Sequence, residues 1–138
     1  MQDCIFCRII KGEIPCAKIY EDERTFSFLD IGPINPGHAL VLPRGHYTTI
    51  FEIPEEELKA CAATAKKIAG AVFRAAGAQG LNFLQNNFKA AGQHVDHIHF
   101  HLIPRYTEDG FMANWPAKTY QPGEVEKVLE KVKAELGE

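Results

Sequence analysis

The sequence predicts an α+β fold, an antiparallel meander sheet carrying one main helix and a C-terminal helix. Three observations carry this. The early apolar segments are joined by short polar turns, which suits antiparallel pairing rather than parallel crossovers. A single long stretch, Glu55–Ala76, keeps a helical period. Between Gln93 and Ile103, large apolar residues then alternate with polar ones, the period of a strand with one covered face.

Taken in order, Asp3 is placed to cap a short helix from Cys4 to about Lys11, with Gly12 at its end. Ala17–Tyr20 and Thr25–Leu29 read as strands around the polar turn Glu21-Asp22-Glu23. Gly32-Pro33, Pro36 and Gly37 mark a loop before a short apolar strand, Ala39–Leu42. Pro54 opens the main helix, and Glu55–Glu57 lie favourably at its positive end. Its apolar stripe is read as Leu58, Ala62, Ala65, Ala69, Val72 and Ala76, and Gly77 and Gly80 close it. Leu81–Gln85 resumes strand, Asn86–Gly92 is a polar loop, and the histidine-bearing strand runs to Ile103. Tyr106–Gly123, with Gly110, Pro116 and Pro122, reads as a long connection. Val125, Val128, Leu129, Val132 and Leu136 mark a final amphipathic helix. The expected organisation is a single domain over 1–138, with its core at about 4–106 and an extension at about 107–138.

Composition bounds the function. The chain has 138 residues, 46% of them hydrophobic and 24% charged, with a net charge of −3. That is an ordinary globular composition without a broadly basic surface, so neither nucleic acid nor an anionic membrane is expected as a partner. No apolar run is long enough to span a bilayer and Met1-Gln2-Asp3 does not begin a signal peptide, so cytoplasmic residence is expected. Four cysteines (Cys4, Cys7, Cys16 and Cys61) are then thiols or metal ligands rather than a disulfide framework.

The chemistry concentrates in one segment. Four of the six histidines fall between positions 94 and 101, and His97, His99 and His101 occupy alternate positions with Ile98, Phe100 and Leu102 between them. On a strand this puts three imidazoles on one face. The residues alone leave three readings: chance alternation on a half-buried strand, a shared metal site, or nucleophilic catalysis by one imidazole oriented by its neighbours. Cys4 and Cys7 share one face of the first helix. They are half of a zinc site, a redox pair, or two small buried residues. Cys16 and Cys61 look like ordinary small apolar residues.

Gly92-Gln93-x-Val95-x-His97-x-His99-x-His101-Leu102-Ile103-Pro104 closely resembles the signature of the histidine-triad (HIT) superfamily of nucleotide hydrolases and transferases. Ile5-Phe6-x-x-Ile9-Ile10-x-Gly12-Glu13-Ile14-Pro15 is similar to that family's opening segment. Phe28-x-Asp30-Ile31 and Pro36-Gly37-His38-x-Leu40-Val41-x-Pro43-x-x-His46 are similar to its middle. The match covers about residues 4–106. The resemblance implies a HIT-like fold and a hydrolase of nucleoside 5′-phosphoramidates or related nucleoside 5′-phosphoryl compounds. It implies that His99 is the nucleophile, forming a covalent nucleotidyl-histidine intermediate that water resolves to a nucleoside monophosphate. His101 would bind phosphate oxygens, and His38 and His97 would support the cluster. Asn86, Gly92 and Gln93 would line the phosphate pocket, His94 would be a further nucleotide-binding residue, and Asp30 would meet the ribose. Ile5, Phe6, Ile9, Phe28 and Ile31 would form the slot for the base.

The resemblance also implies structural zinc on Cys4, Cys7, His46 and His97, no organic cofactor, a purine nucleotide substrate and a homodimer. His94 departs from the family's nucleoside phosphoramidases, which place a serine or threonine there. Two alternatives stand beside this reading: a dinucleoside polyphosphate hydrolase, and a nucleotide-binding regulatory module with slow hydrolysis.

Overall fold

The computed structural model describes residues 3–111 and 115–137. Within the predicted connection Tyr106–Gly123, residues 112–114 lie outside the described residues. The chain runs α1 (Ile5–Ile10), β1 (Lys18–Glu21), β2 (Thr25–Leu29), β3 (Ala39–Pro43), α2 (Glu55–Ala76), β4 (Gly80–Gln85), a 3₁₀ turn (Lys89–Ala91), β5 (Phe100–Arg105) and α3 (Glu124–Leu136).

The five strands form one antiparallel sheet in the order β1-β2-β3-β5-β4. The meander reading therefore holds for β1–β3 and is corrected beyond them, where β5 enters between β3 and β4. The 22 residues of α2 span about 33 Å. That length carries the chain across the sheet and lets β4 start at the far edge. The β4–β5 turn then returns the chain inward.

Each face of the sheet has its own apolar cluster. On one face α2 packs Cys61, Ala65, Ile68 and Val72 against Ala39, Val41, Ile98, Phe100 and Leu102. On the other, α1 packs Phe6 and Ile9 against Phe26, Phe28, Leu40 and Leu42. The alternation at 98–102 thus sends Ile98, Phe100 and Leu102 under α2 and leaves the imidazoles on the α1 side.

The helix stripe is corrected. Cys61, Thr64, Ala65, Ile68 and Val72 are buried, whereas Ala62 is exposed. Buried Thr64 is tolerated because its hydroxyl lies 2.8 Å from that of Thr25.

Three further expectations change. The α1 cap is Cys4, whose Sγ accepts from the Cys7 amide at 3.3 Å, and not Asp3. The regular ladder of β5 begins at Phe100, so of the three alternating histidines only His101 lies inside the strand. His97, in a bend, and His99 occupy the irregular segment that leads into β5, tied to the rest by Ile98 N–H donating to the Tyr47 carbonyl at 2.7 Å. Finally, α3 forms as the period predicts but buries none of its residues, so it does not pack on the sheet. Among the described residues, no helix is long and apolar enough to cross a membrane.

Candidate active site

The histidines of the α1 face are ordered by backbone groups, and those groups fix which nitrogen of each ring carries the proton. His99 Nδ1 lies 2.8 Å from the His97 carbonyl. A carbonyl only accepts, so Nδ1 is the protonated nitrogen and Nε2 keeps its lone pair. His97 Nε2 lies 2.9 Å from the Pro43 carbonyl and donates to it, which leaves Nδ1 of His97 as an acceptor or ligand. The Ile34 amide donates to His38 Nδ1 at 3.0 Å, so the His38 proton is on Nε2. That proton points to His101 Nδ1, 2.9 Å away, and His101 in turn carries its own proton on Nε2. Four rings are therefore held neutral in defined tautomers, one presenting a lone pair and one an N–H.

Burial keeps them neutral. His97 is fully buried, and His38 and His99 are 3% and 8% exposed. Desolvation is the largest influence on all four and lowers every pKa. His101 falls to about 4, with the neighbouring His99 and His38 adding to the effect. His97 also falls to about 4, against the opposing hydrogen bond to Pro43. For His99, the His97 carbonyl and the Asp30 carboxylate oppose the lowering, while His94 reinforces it.

Phe6 sits under the cluster. Its ring meets His99 edge-on at 5.0 Å and 89°, and lies 6.0 Å from His97 and 5.6 Å from Phe28. A half-buried Asp30 Oδ2 lies 3.8 Å from His38 Nε2, at the side of the cluster away from the cysteines. Of the predicted slot residues, Phe6, Ile9 and Phe28 are buried together, and Ile5 is 45% exposed at its edge. Ile31 is not gathered into this cluster. It stands 95% exposed on the turn after β2, because the chain there leaves the sheet.

The predicted phosphate loop is brought to the same end of the sheet. Gly92 has φ 94°, and a Cβ placed there would lie 3.6 Å from the Asn86 amide nitrogen. Glycine thus serves the left-handed turn, while the Asn86 side-chain nitrogen lies at an ordinary contact distance. Gln93 is 1% exposed and fully bonded: Oε1 accepts from the Phe88 amide at 2.7 Å, and Nε2 donates to the Thr48 and Val95 carbonyls. Its side chain therefore braces the loop and does not project into the pocket. His94 is exposed and lines a cleft of about 420 Å³ with Asp3, Cys4, His46, Thr48 and Asp96.

Cys4, Cys7, His46 and His97 bring four ligand atoms within 4.8 Å of one another. Cys4 Sγ and Cys7 Sγ lie 3.4 and 3.6 Å from His97 Nδ1, and Cys7 Sγ lies 3.4 Å from His46 Nδ1. A tetrahedral zinc ion with ordinary Zn–S and Zn–N bonds has an S···N edge of about 3.6 Å, so the four groups fit one. The free Nδ1 of His97 faces this cluster because Pro43 takes the proton on the other side. Without a cation, burial holds the Cys7 thiol up at about 11.

The sequence profile of the HIT domain matches residues 11–108. The chain belongs to the HIT family. It is 39% identical over 134 residues to the adenosine 5′-monophosphoramidase hnt1 of Schizosaccharomyces pombe, covering 96% of this chain and 98% of that protein. The crystal structure of a Streptococcus mutans protein, 38% identical, superposes with a TM-score of 0.93, covering 99% of this chain and 87% of that one. A zinc-bound histidine triad family protein of Mycobacterium smegmatis is 35% identical with a TM-score of 0.75, covering 99% and 96%.

In this HIT protein the residues that sequence reasoning missed are backbone groups. The carbonyls of Pro43 and His97 and the amide of Ile34 set the tautomers, and a side-chain pattern carries no signal for them. A second omission is the aromatic pair Phe51 and Phe88, stacked at 6.0 Å and 17° on the loops before α2 and after β4. Both were passed over because they belong to no periodic segment.

Proposed function

We infer that this chain is a histidine-triad hydrolase that cleaves nucleoside 5′-phosphoramidates, a purine nucleoside being the expected substrate class, through His99. The single observation that supports this most is the fixed tautomer of His99, whose Nε2 lone pair is free in a buried, neutral ring. In the first displacement a bond forms between His99 Nε2 and the α-phosphorus as the phosphorus–nitrogen bond to the leaving group breaks. The leaving nitrogen takes up a proton and departs as an amine. Water then attacks phosphorus, the histidine–phosphorus bond breaks, and the nucleoside monophosphate is released. The His101 Nε2–H donates to the phosphoryl oxygens, where charge builds, and the Asn86 side-chain amide adds a donor, the Gly92 N–H being taken by the Lys89 carbonyl at 2.9 Å. Asp30 takes the ribose hydroxyls, while Phe6, Ile9 and Phe28 accept the base with Ile5 at the rim. Exposed His94 occupies the position from which a leaving group is protonated.

The donor set of Cys4, Cys7, His46 and His97 supports structural zinc, which when bound cross-links α1 to the segment carrying His97 and His99. A homodimer is supported by a small apolar groove between α2 and the edge strand β4, lined by Ala62, Ala65, Ala69, Leu81 and Phe83. Phe83 there is 51% exposed, and the alanines permit close approach of a second helix. Light scattering at micromolar concentration should give twice the chain mass; a monomeric mass refutes the dimer.

The deciding experiment is a single-turnover reaction with an adenosine 5′-phosphoramidate, followed by AMP release and by intact-protein mass. Wild type is expected to release AMP and to accumulate an adenylylated chain when quenched in denaturing alkali, where the histidine–phosphorus bond survives, and His99→Asn to do neither. Equal turnover by both proteins sinks the assignment of His99. AMP binding without turnover by wild type favours the regulatory module instead.

A further inference from the structure

The turn that follows β5 is drawn back against the loop that precedes β3. Glu108 has φ 59°, a left-handed conformation uncommon outside glycine, and it returns the chain so that Asp109 faces Arg105. The Asp109 side chain is 7% exposed, and each group it meets is a donor. Its Oδ1 accepts from Arg105 Nη2 at 2.5 Å and from the Phe111 amide at 3.2 Å. Its Oδ2 accepts from Arg105 Nε at 2.6 Å, the Tyr106 amide at 3.1 Å and Asn35 Nδ2 at 3.0 Å. Arg105 Nη1 is anchored in turn on Asn82 Oδ1 of β4, at 2.7 Å. Asn35 Nδ2 also donates to the Pro104 carbonyl at 2.8 Å. Asn35 is therefore where β5 and its turn grip a loop whose Ile31, Pro33, Ile34 and Pro36 are exposed.

That loop carries the amide on which the order of the imidazoles depends. Ile34 N–H, next to Asn35, donates to His38 Nδ1 at 3.0 Å, and the Asn35 carbonyl accepts from the His38 amide at 3.0 Å. His38 Nε2–H then meets His101 Nδ1 at 2.9 Å. We propose that Asp109, acting through Asn35, is a positioning residue for the histidine site: it holds the Ile34 amide against His38 and so keeps the His101 proton on Nε2. The inference rests on the phosphoramidase reading for its effect on turnover. With the Ile34 amide displaced, His38 can carry its proton on Nδ1 and accept at Nε2 from His101 Nδ1–H. Each ring still holds one proton, but His101 Nε2 is left with a lone pair. It then cannot donate to a phosphoryl oxygen, and two acceptors meet where charge builds.

The test compares wild type with Asn35→Ala, Asp109→Asn and Tyr106→Phe. Asn35→Ala leaves the Asp109–Arg105 pair in place, so this variant is expected to fold. Asp109→Asn sets an amide NH2 among groups that all donate. Tyr106→Phe removes the 2.7 Å bond to the Ala76 carbonyl from the same turn without touching Asn35, and so reports lost stability alone. Long-range proton–nitrogen NMR spectra at neutral pH are expected to show His38 and His101 of wild type each protonated at Nε2. In Asn35→Ala and Asp109→Asn the two nitrogen shifts of each ring should draw together, while in Tyr106→Phe they stay apart. The first two variants should also lose about tenfold in kcat/KM for an adenosine 5′-phosphoramidate, roughly twofold of it from equal population of the two proton orders and the rest from misplacement of the ring. In a His101→Asn background the same substitutions should change kcat/KM by less than about twofold. Unchanged ring spectra in Asn35→Ala and Asp109→Asn overturn the proposal. Changed spectra without a fall in kcat/KM overturn it as well, because the proton order is then immaterial to the reaction. If wild type cleaves nothing while the variant spectra change, the phosphoramidase reading fails and the hold of Asp109 on the rings stands.

Discussion

His38 donates its Nε2 proton to His101 Nδ1 across 2.9 Å, and the Ile34 amide at the far side of His38 permits no other arrangement of the neutral pair. A backbone amide thereby determines, through two rings, that His101 carries an N–H and not a lone pair at Nε2. Protonating His101 at Nδ1 removes the acceptor and places two donors face to face.

The pair should make stability depend on acidity. His101 has its pKa lowered from 6.5 to about 4 in the fold, chiefly by burial. Between those values the unfolded chain binds a proton that the folded chain refuses, so stability is complete above about pH 6.5 and declines as pH falls towards 4. Partial exposure of the ring reduces the effect to on the order of 2 kcal/mol. Urea midpoints measured from pH 7.5 to 4 should show this decline, and His101→Asn should flatten part of it. An identical slope in the variant would exclude His101 as the source.

Gln93→Leu should be costly although it keeps side-chain size. The substitution leaves the Phe88 amide and the Thr48 and Val95 carbonyls without their partner in a site that is 1% exposed. Lost partners in such surroundings cost about 1–3 kcal/mol each, with some recovered by entering water. A net loss of about 2–4 kcal/mol is expected by chemical denaturation. A loss below about 0.5 kcal/mol would show that the loop is not held by this side chain.

A second buried polar contact tests the seam between sheet and helix. Thr25 Oγ1 donates to Asp22, so in its 2.8 Å contact with Thr64 the Thr64 hydroxyl is the donor. Thr64→Val removes a donor that Thr25 does not require, and about 1 kcal/mol is expected. Thr25→Val strands the Thr64 hydroxyl and takes a partner from Asp22, so it should cost about 2 kcal/mol. A double-mutant cycle by thermal denaturation measures the coupling, and equal single costs would reverse the assigned direction of the bond.

Much of this was legible in the chain. The bounds of α2 were readable because Pro54 and Gly77 frame an uninterrupted helical period, and those of β2 because polar turn residues precede it. The opposition of Ile98, Phe100 and Leu102 to the histidines followed from period two alone. That period could not show where hydrogen bonding begins. The chain around His97 and His99 keeps the alternation while touching its neighbour through only the Ile98 amide among the backbone contacts described. Strand order was hidden for a different reason: β5 enters between β3 and β4 through long-range pairings that no local pattern encodes. The α2 stripe read from sequence included Ala62 and Ala69 and left out buried Cys61, Thr64 and Ile68. A buried hydroxyl with a distant partner is invisible in sequence. The family resemblance already gives His97 and His99 different roles, and the Pro43 and His97 carbonyls supply the physical reason for the difference.

Metal removal gives the sharpest test of that separation. Cys4, Cys7, His46 and His97 join α1 to the segment before β5, so a zinc ion there would add a tie that the apolar contacts of Phe6 and Ile9 provide only in part. Protein purified under metal-replete, reducing conditions should carry one zinc per chain by elemental analysis. Cys4→Ser and Cys7→Ser should lose it, whereas Cys16→Ser, altering a cysteine outside the cluster, should retain it. A ligand present at about a thousand times its dissociation constant stabilises by about 4 kcal/mol. For a chain of this size, chelation should therefore lower Tm by roughly 10 °C. AMP binding should weaken in parallel, because Phe6 on α1 contacts the His99 ring directly. A zinc content near zero in wild type, with no change in Tm on chelation, would leave the four residues as a hydrogen-bonded cluster of thiols and imidazoles.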